Sequence, residues 1–579
     1  MIAIVFLLLL EILVRPSFGF ALAGSLEYVR HLTLWVAMLG AALAARDGRL
    51  LALTPVTMLP DGRWREAAMT AAATVTAAVT AVLACAAVRM VILEYRYETQ
   101  LASIPVWAAQ IVFPAAFTII GVRVVMAVTP HWGRVVAFLG GCAGVAAAAW
   151  PEVVTMAPSW SIVAALVAAA GVGAPLYAVL GGLAVFLFMA QGVAPVTVAV
   201  SAYDLTTNAH LPAIPVFTLA GVLLAEGDTA ARLLRLVRAW AGWVPGGTAV
   251  VCAVVCTFFT IFTGGSGVTI LALGGLLLPA LLRDGYPDRF SVGLLTGSGS
   301  LGLLLPPALP LVLYGIVART PMMDLFAGGL LPGLLMLMLV AVYGTWQAVR
   351  SGVPRPRFDL REALASLWHG KWEVLLPAFV LGAFFGGYAT LLETAALTAL
   401  YALVVQIAIH RNIRAGTQLR HVIADAVTTS GGVLIILCAA VGLTSYLVDA
   451  EVPGALVEWT RAHVHSRAAF LLALNLFLLV VGCMMDIYSA IFIVVPLIVP
   501  LASEFGVHPV HLGIIFIANL ELGYLTPPVG LNLFLASYRF SRPIHEICRA
   551  SLPMLAILFV GVLLITYCPW LTTVLLPVP

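Results

Sequence analysis

The chain has 579 residues, of which 62% are hydrophobic and 9% are charged, and its formal net charge is +3. Its mean hydropathy is +1.09. Soluble domains carry about 25% charged residues, and a soluble fold of this length could not hide so much apolar surface, because much of any folded surface faces water. The composition therefore excludes a soluble protein. It predicts an all-α polytopic membrane protein, surrounded by the lipid bilayer and with no nucleic-acid partner.

The N-terminal segment is the first apolar run. Residues 1–14 are apolar, and Ala21-Leu22-Ala23 resembles a signal-peptidase site. No positively charged segment precedes this run, so the sequence favours a first membrane-spanning helix over a cleaved signal peptide. Further apolar runs are long enough to span a membrane, which takes about 20 residues; examples are 68–93, 104–127, 135–150, 327–347, 373–390 and 550–576.

The arginines predict the orientation of these segments, because cytoplasmic loops carry an excess of Lys and Arg. The arginine-rich loops are 46–66, 228–240, 283–289, 350–371, 410–421 and 538–549, and the arginine-poor loops between them are 193–210 and 319–324. This alternation gives one consistent membrane topology if the segment 161–192 crosses the membrane twice, with a break near 171–175. Arg232, Arg235 and Arg238 are spaced three residues apart, which places them on one face of a helix at the membrane interface.

Two apolar segments do not fit as simple crossings. The first, 245–282, has basic loops on both sides and is interrupted at 263–267. Its arms are about 16 residues each, which is short for a full span. It is therefore predicted to be a re-entrant hairpin that enters from the cytoplasm. The second, 468–503, is interrupted near 482–486 and has few arginines beside it, so it is predicted to enter from the periplasm.

The two hairpin regions form an internal repeat. Pro306-Pro307 and Pro527-Pro528 are 221 residues apart, and the same offset aligns Pro279 with Pro500, Gly285 with Gly506, Gly302 with Gly523 and Pro332 with Pro553. The charges that flank the two copies are opposite, which indicates an inverted-topology repeat of the kind found in secondary transporters. In each copy a helix follows the hairpin and breaks at the proline pair, because proline lacks the N–H donor and clashes with the preceding turn.

Broken backbone inside a membrane is tolerated only where it is buried in protein or lines a cavity. Free N–H groups at helix starts attract anions, and carbonyls freed at a break coordinate Na⁺. The predicted sodium-binding residues are Gly265, Ser266, Ser298, Asp486, Ser489, Asn519 and Thr526. The predicted substrate-cavity residues are Thr263, Gly302, Pro306, Pro307, Pro527, Pro528 and Gly530. We expect no catalytic residue and no metal other than sodium.

Three acidic residues lie within apolar spans, where an acid is a functional candidate by default. For Asp486 a sodium ligand is favoured over a structural hydrogen-bonding role. For Glu393 and Glu521 a structural role is favoured, because either could cap a helix or pair internally. The small residues at the hairpin tips have a second interpretation, since Gly and Ser also allow helices to pack closely.

These motifs resemble the tripartite ATP-independent periplasmic (TRAP) transporters. The stretch 262–310, with its Gly-Gly-Ser-Gly tip and Leu-Pro-Pro, and the stretch 519–530 are similar to the family's large permease subunit, as are 213–221 and 393–396. The small permease subunit is resembled more loosely, through Glu27, Arg30, Trp35, Gly40, Arg46, Leu59-Pro60 and 104–107. The apolar segment 134–152 resembles the helix that links the two subunits in fused members. The resemblance implies a small permease (scaffold) module at 1–130, a linker transmembrane helix at 131–157 and a large permease module at 158–579.

The resemblance also implies a function and a mechanism. It implies an elevator-type transporter of the bacterial inner membrane, coupled to Na⁺ ions and using no ATP. The cargo would be a small carboxylate, C4-dicarboxylate-like or another organic acid, delivered by a periplasmic substrate-binding protein. Ala308, Gly267 and Thr54 depart from the family's usual Ser, Ser and acid at those positions. These departures bear on the identity of the substrate and on the details of the first sodium site, which the resemblance therefore leaves open.

Two alternatives stay open from the sequence. A two-component divalent-anion:sodium symporter shares the hairpins and broken helices, but the N-terminal module argues against it. A polytopic membrane enzyme would require clustered His and acidic residues or a phosphate-binding loop. The histidines lie mostly in loops, and the sequence has no HExxH, P-loop or GxSxG motif in a suitable context.

Overall fold

The computed structural model describes residues 1–18, 24–52, 62–97, 100–101, 104–129, 131–152, 158–354, 358–414, 416–527 and 530–576. The chain divides into two compact units, unit 1 (Met1–Pro215 and Ile423–Ala455) and unit 2 (Val216–Val422 and Leu456–Pro579). The predicted modules at 1–130, 131–157 and 158–579 do not follow these units, because unit 1 also takes in the segment 423–455. That division stays a prediction.

The described residues of unit 1 are mostly helical, and one short ribbon pairs Gln100–Leu101 antiparallel with Ile104–Pro105. Its helices are α1 (Ile2–Phe18), α2 (Ser25–Arg46), α3 (Arg63–Tyr97), α4 (Val106–Gln110), α5 (Val112–Ala127), α6 (His131–Ala149), α7 (Ser159–Gly171), α8 (Leu176–Ala190) and α9 (Val196–Tyr203). The break between α7 and α8 confirms the interruption predicted near 171–175. Three helices contribute residues to both units: α10 (Ala213–Glu226), α19 (Thr417–Asp449) and α20 (Val452–His463).

Small residues hold unit 1 together. Helix α6, within the predicted linker, packs along α3. A Cβ atom on Gly144 would lie 2.1 Å from the carbonyl oxygen of Ala78, so only glycine fits this crossing. Helices α2 and α19 cross at Gly40 and Gly431, where a Cβ atom on Gly431 would lie 2.5 Å from the Cα atom of Gly40. Such close approach is the usual way in which membrane helices associate, because lipid supplies no hydrophobic force between them.

Unit 2 contains both predicted hairpins and both broken helices. Its remaining helices are α11 (Thr229–Ala241), α12 (Gly247–Thr263), α13 (Ser266–Arg283), α14 (Asp288–Ser298), α15 (Leu309–Ala318), α16 (Met322–Arg350), α17 (Leu360–Phe385), α18 (Leu391–Val404), α21 (Arg467–Met484), α22 (Ile487–Glu504), α23 (Pro509–Gly523), α24 (Leu531–Phe540), α25 (Ile544–Tyr567) and α26 (Trp570–Thr573). A 3₁₀ turn spans Leu301–Leu304 between α14 and α15, and a π-helical turn, Val405–Ile409, ends α18.

The internal repeat is confirmed by the helix bounds. Adding 221 to the bounds of α13 gives 487 and 504, which are the bounds of α22, and adding 221 to the start of α14 gives 509, the start of α23. Gly285 and Gly506, paired by the same offset, both have positive φ, at 89° and 64°. Each follows a hairpin's second helix, where a left-handed residue ends the helix.

The described residues confirm a polytopic all-α membrane fold. Eleven helices in the described ranges are long and apolar enough to cross a membrane, and the number rises to 13 if two bent pairs each form one span. One bent pair is α14 with its 3₁₀ turn and α15, bent by 45°, and the other is α10 with α11, bent by 72°. The first bend is the break predicted at Pro306-Pro307.

The three arginines on one face of α11 each meet an acid of unit 2. The Nε atom of Arg232 lies 2.6 Å from Glu373, and that of Arg235 lies 2.7 Å from Glu362, both acids being on α17. Arg238 lies 2.6 Å from Asp284, in the turn after α13. The predicted interfacial helix is therefore bound to its neighbours by ion pairs, which its own sequence did not indicate.

These pairs predict unequal effects on stability. The Glu373 side chain is 1% exposed and that of Arg232 is 16% exposed, whereas Arg235 and Glu362 are 51% and 45% exposed. Replacing Arg232 with alanine leaves a buried carboxylate without its main partner, which costs about 3 kcal/mol. We expect Arg232→Ala to lower the melting temperature of the purified protein clearly.

Arg235→Ala is the matched control, because it removes the same kind of bond from the same helix at an exposed position, where ion pairs contribute little. Melting is followed by intrinsic fluorescence in detergent. Equal melting temperatures for the two variants would show that burial of the Arg232 pair contributes nothing.

Candidate functional site

The first hairpin tip is built around two glycines. Helix α12 ends at Thr263, and Gly264 follows with φ of 68°, a left-handed conformation that favours glycine. A Cβ atom on Gly264 would also lie 2.6 Å from the side chain of Leu309, the first residue of α15. Gly265 then adopts extended backbone, and α13 starts at Ser266, which is buried. The tip therefore packs directly against the far side of the first helix break.

Polar atoms gather behind this tip. The Thr260 hydroxyl lies 2.8 Å from both the Thr269 hydroxyl and the Gly299 carbonyl oxygen, so it joins both arms of the hairpin to the end of α14. Ser298, the last residue of α14, is fully buried, and its hydroxyl has no hydrogen-bond partner within the described ranges. An unpaired buried hydroxyl is costly, so its oxygen is available to a ligand.

The second hairpin tip is organised by Asp486, the residue before α22. Its carboxylate accepts hydrogen bonds from the backbone N–H groups of Tyr488, at 3.0 Å, and Ser489, at 3.2 Å, and also from the Ser489 hydroxyl. Asp486 is therefore a helix N-cap. A carboxylate offers about four lone-pair sites, and these three bonds leave capacity for a cation. The structure brings Asp486 and Ser489 together, as the sequence predicted.

The second tip also contacts the second helix break. The N–H of Ile487 donates to the Tyr524 hydroxyl at 2.6 Å, and the N–H of Gly530 donates to the Cys483 carbonyl at 2.9 Å. Gly530 has φ of 53°, and α24 begins at the next residue. Of the predicted residues here, the Thr526 hydroxyl donates to the carbonyl of Leu522, one turn earlier in the chain.

A hydrogen bond joins the two hairpin tips. The Tyr488 hydroxyl, on the first turn of α22, donates to the carbonyl oxygen of Gly264 at the first tip. Helices of one repeat also pack against helices of the other, α13 against α24 and α22 against α15. Asn532 of α24 adds a polar contact, 3.3 Å from the carbonyl of Thr296 and 3.5 Å from the Ser300 hydroxyl. Both halves of the repeat therefore build one site.

Asn519 lies in a different environment from the other predicted sodium ligands. Its amide nitrogen donates to the side chain of Asn475 at 2.6 Å and to the Ile515 carbonyl at 2.9 Å. Thr566 donates to the same Asn475 oxygen at 3.1 Å. This buried network joins α21, α23 and α25, so the amide group of Asn519 serves packing between helices. Two residues further along α23, Glu521 is fully buried, and both its carboxylate oxygens lack a partner within the described residues.

The predicted substrate-cavity residues occupy several environments. Thr263 donates to the Phe259 carbonyl, within its own helix. Pro306 and Pro307 are buried and border a narrow apolar space with Phe217, Phe326 and Phe384 as neighbours. Pro527 is exposed. Pro528 lies outside the described residues, and so do Leu59-Pro60, which resembles the small permease subunit, and Thr54, which departs from its pattern.

Gly302 and Gly523 make equivalent contacts in the two repeats. A Cβ atom on Gly302 would lie 2.4 Å from the Thr257 carbonyl and 2.7 Å from the Ile261 nitrogen, both in α12. A Cβ atom on Gly523 would lie 2.5 Å from the Cα of Gly482, in α21. Ile261 and Gly482 are themselves 221 residues apart. Each broken helix therefore touches the first arm of its own hairpin, backbone against backbone.

Several residues of this site escaped the sequence prediction. Thr260 and Thr269 could have been found from their positions one turn from the tip on either arm. Asn475 is a lone amide in an apolar helix, which is itself a signal. The sequence gave no signal for Tyr488 or Asn532, because their hydrogen-bond partners are more than 200 residues away in the chain.

Comparison with known families agrees with this architecture. Residues 161–571 match the family model described as the DctM component of the tripartite ATP-independent periplasmic transporter, and residues 4–134 match the model described as the DctQ component. The first match alone covers more than half of the chain, so the chain belongs to this transporter family, with DctQ and DctM components fused in one polypeptide. It is a multi-pass inner-membrane permease and not an enzyme.

Individual relatives differ in their named substrates. The chain is 34% identical over 402 residues to the isethionate TRAP transporter permease DctMQ of Oleidesulfovibrio alaskensis, an alignment that covers 69% of this chain but only 63% of that protein. It is 34% identical to the C4-dicarboxylate large permease DctM of Pseudomonas aeruginosa, over 67% of this chain and 91% of that one. It is 30% identical to the ectoine large permease TeaC of Halomonas elongata, over 62% and 84%.

Proposed function

We propose that this permease carries out Na⁺-coupled uptake of a small carboxylate that a periplasmic substrate-binding protein delivers, without using ATP. The observation that carries the proposal is the paired constellation of unit 2. Two hairpin tips, each packed against a broken helix, are joined by the bond from Tyr488 to Gly264. In transporters, free carbonyls and helix N-termini at such breaks form the ion and substrate sites.

The oxygen donors at the two tips fit sodium. At the first tip, the unpaired Ser298 hydroxyl and the carbonyl of Gly265, which lies at the start of α13, are hard oxygen ligands. At the second tip, the Asp486 carboxylate supplies a negative charge. Bound sodium supplies positive charge, which would allow an anionic substrate to approach. The chain's own part is to hold these oxygens fixed, which it does through the Asp486 cap and the Thr260 contacts.

A small carboxylate is the cargo best supported by the relatives and the site. The relatives named above carry a sulfonate, C4-dicarboxylates and ectoine, all small compounds with an acidic group. The start of α13, at the first tip, has no side-chain cap and presents free N–H groups that favour an anionic group. At the start of α22 these groups are already bonded to Asp486 and Tyr524. We assign the carboxylate-binding role to the tip backbone and not to a buried arginine.

The movement proposed is of the elevator type. Both hairpins and both broken helices lie in unit 2 and pack on one another. The crossed packing of α13 on α24 and of α22 on α15 makes the four segments move as one body. Transport would then carry the whole site across the membrane instead of opening each tip separately.

The proposal is tested by uptake of a labelled C4-dicarboxylate into proteoliposomes with an imposed Na⁺ gradient. The assay is run with and without the cognate binding protein. Uptake that needs both is the expected result. Uptake with Na⁺ alone would instead support the two-component divalent-anion:sodium symporter, and uptake that is unchanged when K⁺ replaces Na⁺ would refute sodium coupling.

Ser266 and Thr526 provide a finer test. Each is predicted to contribute an oxygen to a sodium site, so Ser266→Ala and Thr526→Ala should raise the sodium concentration that gives half-maximal uptake by about tenfold, the equivalent of about 1.4 kcal/mol. Maximal uptake at saturating sodium should change less. A proportional loss of maximal rate, with the same sodium dependence, would show that both hydroxyls only pack.

A further inference from the structure

A cavity of about 330 Å³ lies in unit 2 where α14 and α25 begin, and its lining includes no residue of either hairpin tip. Its lining includes four basic side chains, Arg289, Arg542, His545 and Arg549, and two acidic ones, Asp288 and Glu546. All six belong to the loops 283–289 and 538–549, which are among the arginine-rich loops predicted to be cytoplasmic.

One ion pair fixes the wall of this cavity. The Arg542 guanidinium donates to both carboxylate oxygens of Asp288, and its Nη2 atom lies 2.6 Å from Oδ1. The two charges therefore neutralise each other. Arg289 and Arg549 are exposed, and neither makes a hydrogen bond or ion pair with any residue in the described ranges. Only Glu546 remains to offset these two arginines, so the cavity carries an excess of positive charge.

The position of this charge is unusual for helix starts. Helices α14 and α25 pack side by side, and both begin at the cavity, at Asp288 and Ile544. Helix starts carry partial positive charge and free N–H groups, so they favour acids and disfavour arginines. Arginines lining a cavity at two such starts make it a strong anion site. Their planar guanidinium groups fit the paired oxygens of a phosphate.

The surroundings of the cavity identify the source of the phosphate. Helix α25 is long and apolar enough to cross the membrane. Leu552 is three residues after Arg549, and Phe559 is seven residues further, so all three lie on one face of α25; the two apolar side chains are 53% and 40% exposed. A lipid could therefore place its phosphate at Arg549 and its acyl chains along Leu552 and Phe559.

We propose that this cavity binds the phosphate group of an anionic phospholipid of the cytoplasmic leaflet, with phosphatidylglycerol as its simplest representative. Basic pockets between membrane helices on this side are suited to anionic head groups, since the cytoplasmic leaflet is rich in them. The site is separate from the proposed transport site, and its occupancy does not depend on sodium or carboxylate.

The test is native mass spectrometry of the full-length, delipidated protein, titrated with phosphatidylglycerol and with phosphatidylcholine of the same acyl chains. The double variant Arg289→Ala/Arg549→Ala removes the two unpaired arginines. The control is Arg361→Ala, an exposed arginine of α17 that does not line the cavity. A third titration uses soluble glycerol 3-phosphate as a competitor.

The expected result is that the wild type and Arg361→Ala bind phosphatidylglycerol equally well, and that the double variant binds it about tenfold more weakly. Phosphatidylcholine should bind more weakly than phosphatidylglycerol, and its affinity should differ little between the wild type and the double variant. Replacing the same two arginines with lysine should give an intermediate loss, since the charge stays but the planar fork is lost. Unchanged phosphatidylglycerol affinity in the alanine double variant would overturn the proposal. Equally tight binding of glycerol 3-phosphate would assign the site to a soluble phosphate ester and would also overturn it.

Discussion

Replacing Asp486 with asparagine is expected to weaken sodium-dependent uptake strongly while leaving the protein folded in the membrane. Asparagine caps helices about as well as aspartate, so the bonds to the N–H groups of Tyr488 and Ser489 can persist. The negative charge is lost, however. A charge-assisted contact is worth about 1.5–3 kcal/mol, so the sodium concentration for half-maximal uptake should rise by about tenfold or more.

The Asp486→Ala variant separates the two roles of this side chain. It loses the cap as well as the charge, and the loss of a cap costs about 1 kcal/mol of stability. We therefore expect both variants to need a higher sodium concentration for uptake, but only the alanine variant to melt at a lower temperature. Asp359, which caps α17 by accepting from the N–H groups of Arg361 and Glu362, provides a matched control. Asp359→Asn should keep normal sodium dependence.

The outcome that would remove Asp486 from the sodium site is specific. If Asp486→Asn retains the wild-type sodium dependence across a full titration, its carboxylate serves only as the cap of α22. Sodium coupling would then rest on the oxygens of the first tip, with Ser298 and the Gly265 carbonyl as the remaining donors. The uptake assay itself would still report whether transport requires sodium.

The hairpins and breaks could be predicted from the sequence because their causes are local. A glycine-rich interruption between two short apolar arms, or a proline pair in an apolar run, determines the backbone within a few residues. The first tip was predicted at 263–267, and α12 and α13 are indeed separated at Gly264 and Gly265. The repeat was visible because proline and glycine at matched positions are needed for the same turns in both copies.

The side-chain partners could not be predicted, because they depend on how distant segments pack. The bond from Tyr488 to Gly264 spans 224 residues, and the contact of Asn532 with Ser300 spans 232. No local pattern gives such pairs. The same holds for Asn519, whose position opposite the second tip suggested a sodium ligand, whereas the packing of α21 against α23 places Asn475 beside its amide.

The arginines of α11 show a further limit of the sequence. Their spacing correctly placed them on one helical face at the membrane interface, but it gave no partner for that face. The acids that bind them lie more than 100 residues later, on α17, or in the turn after α13. Periodicity shows which residues share a face, and only tertiary structure shows what that face meets.

Substituting valine for Gly302 or Gly523 is expected to disrupt the folding of unit 2 strongly. At both positions the new side chain would meet backbone atoms closer than 3 Å, at Thr257 and at Gly482. Backbone cannot yield as a flexible side chain can, so each broken helix would have to move away from its hairpin. Overpacking of this kind costs about 1–3 kcal/mol and can cost more.

The measurement is the yield and melting temperature of monodisperse protein after detergent extraction, followed by uptake. Gly382→Val is the matched control, because Gly382 lies within α17 and a Cβ atom there would meet no heavy atom within 4 Å. We expect Gly302→Val and Gly523→Val to lose folded protein to a similar extent, and Gly382→Val to retain it. The similarity is the stronger part of the prediction, since the two glycines occupy one structural position in the repeat. Tolerance of valine at one position but not at the other would mean that the two broken helices do not pack against their hairpins in the same way. The two halves of the repeat would then be asymmetric where each broken helix meets its hairpin.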